Sequence, residues 1–96
     1  MDLLVAYDVA TRDREGERRL AEVAAVCERY GVRVQYSVFE CRLTATAAES
    51  LVVELEATIL PSDDSVLIYR FPGDLRTSRQ ALGRRRGSGP AGPWIV

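Results

Sequence analysis

The chain reads as a single α+β domain, a sheet with two helices packed on one side of it. Three observations predict this. Segments 20–30 and 48–59 carry apolar residues at helical spacing. Segments 3–7, 32–43 and 65–71 are apolar throughout or alternate with period two. A length of 96 residues suits one hydrophobic core. The apolar content of 47% supplies that core and leaves surface for a partner, on which domains this small often lean.

Leu3-Leu4-Val5-Ala6-Tyr7 is almost wholly apolar, so it predicts a strand covered on both faces and central in its sheet. Asp8 ends it. Residues 11–17 are polar and lead into a helix, with Asp13 as the expected N-cap. Leu20, Val23, Ala24, Cys27 and Tyr30 form one helical stripe. Gly31 is expected to stop that helix in a left-handed conformation. From Val32 to Leu43 residues alternate: Val32, Val34, Tyr36 and Val38 on one face, Arg33, Gln35, Ser37, Phe39 and Cys41 on the other. No Gly, Pro or Asn interrupts this run, so periodicity alone predicts one long strand. Thr46-Ala47-Ala48-Glu49 has the form of a capping box. The helix it would open carries Ala48, Leu51, Val52, Leu55 and Ile59 on one face and stops at Pro61. Ser62-Asp63-Asp64 turns the chain into a strand over 65–71. In that strand Val66 and Ile68 face one way, and Leu67, Tyr69 and Phe71 the other. Both faces are apolar although the helices cover one, which predicts a homodimer through the uncovered face.

Composition narrows the chemistry. There is no histidine, which excludes imidazole bases, His/Cys zinc sites and Ser-His-Asp or Cys-His catalysis. A metal would sit on oxygen ligands, which favours magnesium, with manganese the alternative. Cys27 and Cys41 form no CxxC pair and read as small buried hydrophobes, reduced in a cytosolic protein. All 13 basic residues are arginine, either for bidentate phosphate contacts or through genome composition. Net charge is −1 but uneven: residues 1–64 hold 13 acids and 7 arginines, residues 65–96 one acid and 6 arginines. A local basic region can bind phosphate within a mildly acidic protein. No stretch of 18 apolar residues exists, and the N-terminus has no basic region before its apolar run, so a cytoplasmic protein is expected.

The domain is expected to span 1–72, followed by a basic flexible tail over 73–96. One helical turn is allowed near Ser78–Leu82. Arg84-Arg85-Arg86 leads into a Gly/Pro-rich linker, and Trp94-Ile95-Val96 reads either as a docking strand or as a free tail.

Two pieces together carry a resemblance: Tyr7-Asp8 at the end of the first strand, and Arg33-Val34-Gln35-Tyr36-Ser37-Val38-Phe39-Glu40. At this spacing, in a chain this short, they resemble the small CRISPR-associated adaptation protein family over Leu3 to about Phe71. The resemblance implies a ferredoxin-like βαββαβ sandwich with an additional C-terminal edge strand. It also implies a reversal near Gln35–Ser37, dividing the long alternating segment. Members are described as magnesium-dependent endoribonucleases and as dimeric partners of the CRISPR integrase that inserts new spacers.

On the residues alone, Asp8 is either a functional carboxylate at a strand end or a cap for the loop at 9–12. The resemblance implies that it is the catalytic and metal-binding aspartate. One carboxylate is a poor magnesium site, and two-fold symmetry would supply a second. Tyr7 and Phe39 read chiefly as packing aromatics. Arg12, Arg14, Arg18, Arg19, Arg33, Arg84, Arg85 and Arg86 are the candidates for DNA or RNA backbone contacts. Two functions follow as expectations: a metal-dependent endonuclease of spacer acquisition acting on RNA or duplex DNA, or a non-catalytic dimeric scaffold bridging integrase dimers. A metabolite-binding regulatory domain is disfavoured by the motif at 35–40 and by the tail.

Overall fold

The structure, a computed structural model, describes residues 1–83. Its elements are β1 (Asp2–Asp8), α1 (Arg14–Tyr30), β2 (Gly31–Gln35), β3 (Val38–Arg42), α2 (Ala45–Thr58) and β4 (Ser65–Phe71), followed by a 3-10 turn at Leu75–Ser78. The strands form one antiparallel sheet in the order β2-β3-β1-β4. This is the ferredoxin-like arrangement, with the apolar run of β1 in the interior of the sheet as expected.

Strand alternation decides where the core sits. Leu3, Val5 and Tyr7 of β1 face the helices with Phe39 and Cys41 of β3. They pack against Val23, Val26 and Cys27 of α1 and Ala48, Leu51 and Leu55 of α2. Leu3, Val5, Val23, Cys27, Phe39 and Leu51 are wholly inaccessible, and fully burying a side chain such as Leu51 stabilises the fold by roughly 2 kcal/mol. The other sheet face carries Leu4, Ala6 and Val38, half-buried, and Leu67 and Tyr69, exposed. Burial pushes the Cys27 thiol up to about 12 and the Cys41 thiol up to about 11, which fits their reading as inert core residues.

Several local expectations are corrected. The segment 32–43 is a hairpin, not one strand: Gln35 pairs with Val38 across a turn at Tyr36-Ser37. No non-glycine residue among those described has positive φ, so this turn does without the residues that usually mark a tight hairpin. A register shift between Arg33 and Gln35, of the β-bulge kind, adjusts the strand instead. Gly31 is extended, with φ −161°, and opens β2. Glycine is needed there because a Cβ would lie 2.4 Å from the Glu40 carbonyl oxygen and 2.5 Å from Cys41 Sγ. Thr44, not Thr46, caps α2, its Oγ1 accepting from Ala47 N at 3.1 Å. The chain leaves the sheet at that point, since Leu43 N still bonds Met1 O. Leu20 is 37% exposed, and the buried stripe of α1 runs through Gly16, Val23, Val26 and Cys27. The helical turn allowed near Ser78–Leu82 lies earlier, at Leu75–Ser78. The expected cap Asp13 is observed, accepting from Gly16 N at 2.8 Å.

Beyond Phe71 the chain folds back on the sheet. Leu75 N donates to Asp2 Oδ2 at 2.7 Å, and Leu75 itself is buried. Arg42 of β3 bridges Asp2 and Asp74. The C-terminal edge strand, Arg84–Arg86 and Trp94–Val96 lie outside the described residues.

Candidate functional site

Asp8 is the last residue of β1 and sits opposite Ser65 at the start of β4. Alternation places it on the helix-free face with Leu4 and Ala6, and it is exposed. Its neighbour Tyr7 turns inward: the phenol is buried, its ring stacks on Phe39 with centroids 6.2 Å apart, and desolvation raises its pKa. Tyr7 and Phe39 are therefore core aromatics, as their sequence context suggested.

The loop after Asp8 is braced from two sides. Asp64, 7% exposed, accepts from Ala10 N at 3.1 Å and Leu60 N at 2.9 Å. It also accepts from Arg19 Nε at 2.8 Å. That ion pair, with the two backbone donors, holds the Asp64 carboxyl down at about 2 against the opposing effect of burial. From the other side Gly16 lets α1 approach the loop: a Cβ there would meet the Ala10 carbonyl oxygen at 2.1 Å. Sequence reading missed both residues. The signal available for Asp64 was an acid directly before a strand, and for Gly16 a glycine just inside a capped helix.

The hairpin turn flanks the same end of β1. Ala6 pairs with Val38, and Tyr7 N then donates to Ser37 O at 3.0 Å. Tyr7 Oη donates to Tyr36 O at 3.3 Å. Arg33 lies on this hairpin with its guanidinium 5.1 Å from the Phe39 ring centroid and 3.9 Å from Glu28 Oε2. The other arginine candidates divide. Arg12, Arg14 and Arg18 are exposed, Arg12 forming a surface pair with Asp63 at 3.1 Å. Arg19 is turned inward onto Asp64, with 18% of its side chain accessible.

A second charged group lies at the far end of β1 and β3. There Asp2, Arg42, Asp74 and Arg76 form a chain of ion pairs. Their contacts hold the Asp2 and Asp74 carboxyls below the usual range. Glu40 is 3% exposed beside Arg79, with Nε 3.6 Å from Oε2, and burial raises its pKa. The only sequence hint was that Glu40 and Arg42 fall on one strand face. These contacts fasten residues 74–79 to the sheet and lie away from Asp8.

Among the described residues no group of three or more Cys, Asp or Glu converges as a metal-ligand set. Asp8 offers hard oxygen donors suited to magnesium or manganese, but one carboxylate leaves most of the coordination shell to water or to a second subunit. No helix among the described residues is long and apolar enough to cross a membrane.

Comparison with known proteins agrees with this architecture. The family model described as CRISPR associated protein Cas2 matches residues 1–78. A CRISPR-associated endonuclease Cas2 of Halalkalibacterium halodurans is 41% identical over 85 residues, covering 88% of each chain. A CRISPR-associated endoribonuclease Cas2 of Nitratidesulfovibrio vulgaris is 34% identical over 96 residues, covering 100% of this chain and 94% of its own. The crystal structure of Streptococcus pyogenes Cas2 superposes with a TM-score of 0.79 at 37% identity, covering 86% of this chain and all of that one. The match through β1, the hairpin and both helices shows that this chain belongs to the CRISPR-associated Cas2 family.

Proposed function

We propose that the protein is a metal-dependent endonuclease of CRISPR spacer acquisition, acting as a homodimer with Asp8 as its catalytic and metal-binding residue. The observation that carries this reading is an exposed carboxylate at the end of an interior strand, beside a loop braced by Asp64 and Gly16. Relatives named endonuclease and endoribonuclease support it. Pairing two subunits through the helix-free face brings both Asp8 carboxylates to one interface, where together they would hold Mg2+ or Mn2+. When bound, such an ion supplies an acidic water and polarises the phosphodiester. Asp8 would be the residue of this chain that holds the ion, while Arg12, Arg14 and Arg18 draw the nucleic-acid backbone along the adjoining surface. Arg33 contributes from the hairpin. Arg19 acts through Asp64, as a positioning residue.

The lone carboxylate also favours a second reading, a non-catalytic dimeric scaffold that holds DNA between dimers of a CRISPR integrase. Asp8→Ala separates the two. On the first reading the variant keeps its fold and mass but loses divalent-dependent cleavage of single-stranded RNA and duplex DNA, by at least about a hundredfold. On the second it supports spacer integration with the cognate integrase as well as wild type does. Unchanged cleavage by the variant, purified free of other nucleases, would remove Asp8 from the reaction.

A further inference from the structure

We propose that Ser65 is a second oxygen donor, beside Asp8, to the divalent ion of this site. This rests on Asp8 being the metal-binding residue, and it goes further by assigning the site a neutral hydroxyl. Three observations carry it. First, the sheet register sets Ser65 directly opposite Asp8, as the final pair of β1 and β4. Residues paired across an antiparallel sheet share a face, with Cβ atoms about 5 Å apart. Ala6 with Leu67, and Leu4 with Tyr69, continue that row along the helix-free face. Second, Asp8 and Ser65 are both exposed, and neither side chain makes a hydrogen bond or ion pair among the described residues. Third, the acids of the two adjoining loops are committed elsewhere. Asp13 caps α1, Asp63 pairs with Arg12, and Asp64 accepts from Ala10 N, Leu60 N and Arg19.

The chemistry follows from this pairing. Magnesium and manganese take hard oxygen ligands. A hydroxyl beside an aspartate is such a set, and phosphate-loop NTPases hold magnesium with a Ser or Thr and an Asp. Side chains opposite one another on two strands are close enough to reach one ion. The hydroxyl adds a donor without adding negative charge, which matters where two Asp8 carboxylates approach across a two-fold axis. Asp64 keeps the pair in register. It directly precedes Ser65, and its carboxylate binds Ala10 N, two residues after Asp8. One buried acceptor therefore fixes the backbone next to both partners.

Manganese binding tests this without relying on cleavage. The probe is Mn2+ alone, titrated into protein free of nucleic acid, with unbound Mn2+ read from its electron paramagnetic resonance signal. Wild type is compared with Asp8→Ala, Ser65→Ala and Ser65→Thr, and the mass of each is checked by light scattering. Asp8→Ala should abolish binding. Ser65→Ala should weaken it about tenfold, and Ser65→Thr, which keeps the hydroxyl, should bind as wild type does. Binding that is lost in Asp8→Ala but unchanged in Ser65→Ala overturns this proposal and leaves Asp8 as the metal residue. A wild type that binds no Mn2+, or binding that Asp8→Ala leaves unchanged, overturns both. Ser65→Thr as weak as Ser65→Ala also overturns the proposal, because the hydroxyl would then not be the donor. So does a fall in the mass of Ser65→Ala, since loss of the ion would then follow from loss of the dimer.

Discussion

The Asp64 carboxylate gathers donors from three segments: Ala10 after β1, Leu60 after α2, and Arg19 within α1. Each donor alone is ordinary, but a buried acceptor serving all three sets the geometry of the loop beside Asp8. Asp64→Asn removes the charge and points an amide N–H toward groups that also donate. It should lower stability by about 2 kcal/mol, the usual cost of leaving buried partners unsatisfied. The pH dependence has a definite sign. The folded carboxyl titrates at about 2, below the unfolded value of about 3.9. Its contribution is present above that unfolded value and disappears as pH falls through about 2. Melting wild type and Asp64→Asn between pH 6 and pH 2 should therefore show their difference shrinking below about pH 4. A difference that stays constant to pH 2 would mean that the carboxylate charge does not hold the loop. Asp2 and Asp74 weaken in the same direction in both proteins, and the subtraction removes them. Glu40 has the opposite sign, since burial raises its pKa and disfavours the charged form.

At the scale of elements, glycine positions give a sharp contrast. A Cβ on Gly31 would meet the backbone carbonyl of Glu40, which cannot swing aside as a side chain would. A Cβ on Gly73 would meet nothing within 4 Å. Gly31→Ala should cost about 1–3 kcal/mol, roughly 5–15 °C in Tm for a domain of this size. Gly73→Ala should be close to neutral. Equal melting temperatures for the two variants would show that β2 and β3 separate freely at their start. The same elements mark what a sequence can reveal. β1, α1, α2 and β4 were legible because periodicity reports burial, and burial governs them. The hairpin was not legible from periodicity, because Tyr36-Ser37 turns without positive φ and a register shift absorbs the mismatch. It was legible from the resemblance carried by the motif at 33–40. The α2 cap was misplaced because Thr44 and Thr46 are equally able oxygens, and only the end of the sheet ladder at Leu43 chooses between them. Asp8 could be singled out because it ends an apolar run. Asp64 could not, because its role depends on residues 45 and 54 positions away in sequence.

The described residues form one sheet, with the helices on one face of it. Both helices pack against Leu3, Val5, Tyr7, Phe39 and Cys41. On the opposite face Leu4, Ala6 and Val38 are half-buried while Leu67 and Tyr69 stand 55% and 49% exposed. Two neighbouring large side chains on one strand, beside three smaller apolar ones on the next two, make a continuous surface that water serves poorly. Residues 74–79 cover the end of the sheet near Asp2 and Glu40 but leave Leu67 and Tyr69 open. Pairing two such faces about a two-fold axis buries each apolar set against its copy, and it places the Asp8 residues of both subunits in the same interface. Light scattering at micromolar concentration should therefore give about twice the chain mass of 10.7 kDa. Leu67→Glu should give a folded monomer, because the residue is exposed in the single chain and its carboxylate is costly only where two sheets meet. Each tenfold loss of dimer affinity corresponds to about 1.4 kcal/mol, less than the cost of burying one unpaired charge. If the two Asp8 carboxylates act together, Leu67→Glu should lose cleavage in step with the dimer, recovering as protein concentration is raised. Wild-type protein that runs as a monomer while cleaving at full rate would sever the link between the uncovered face and the site.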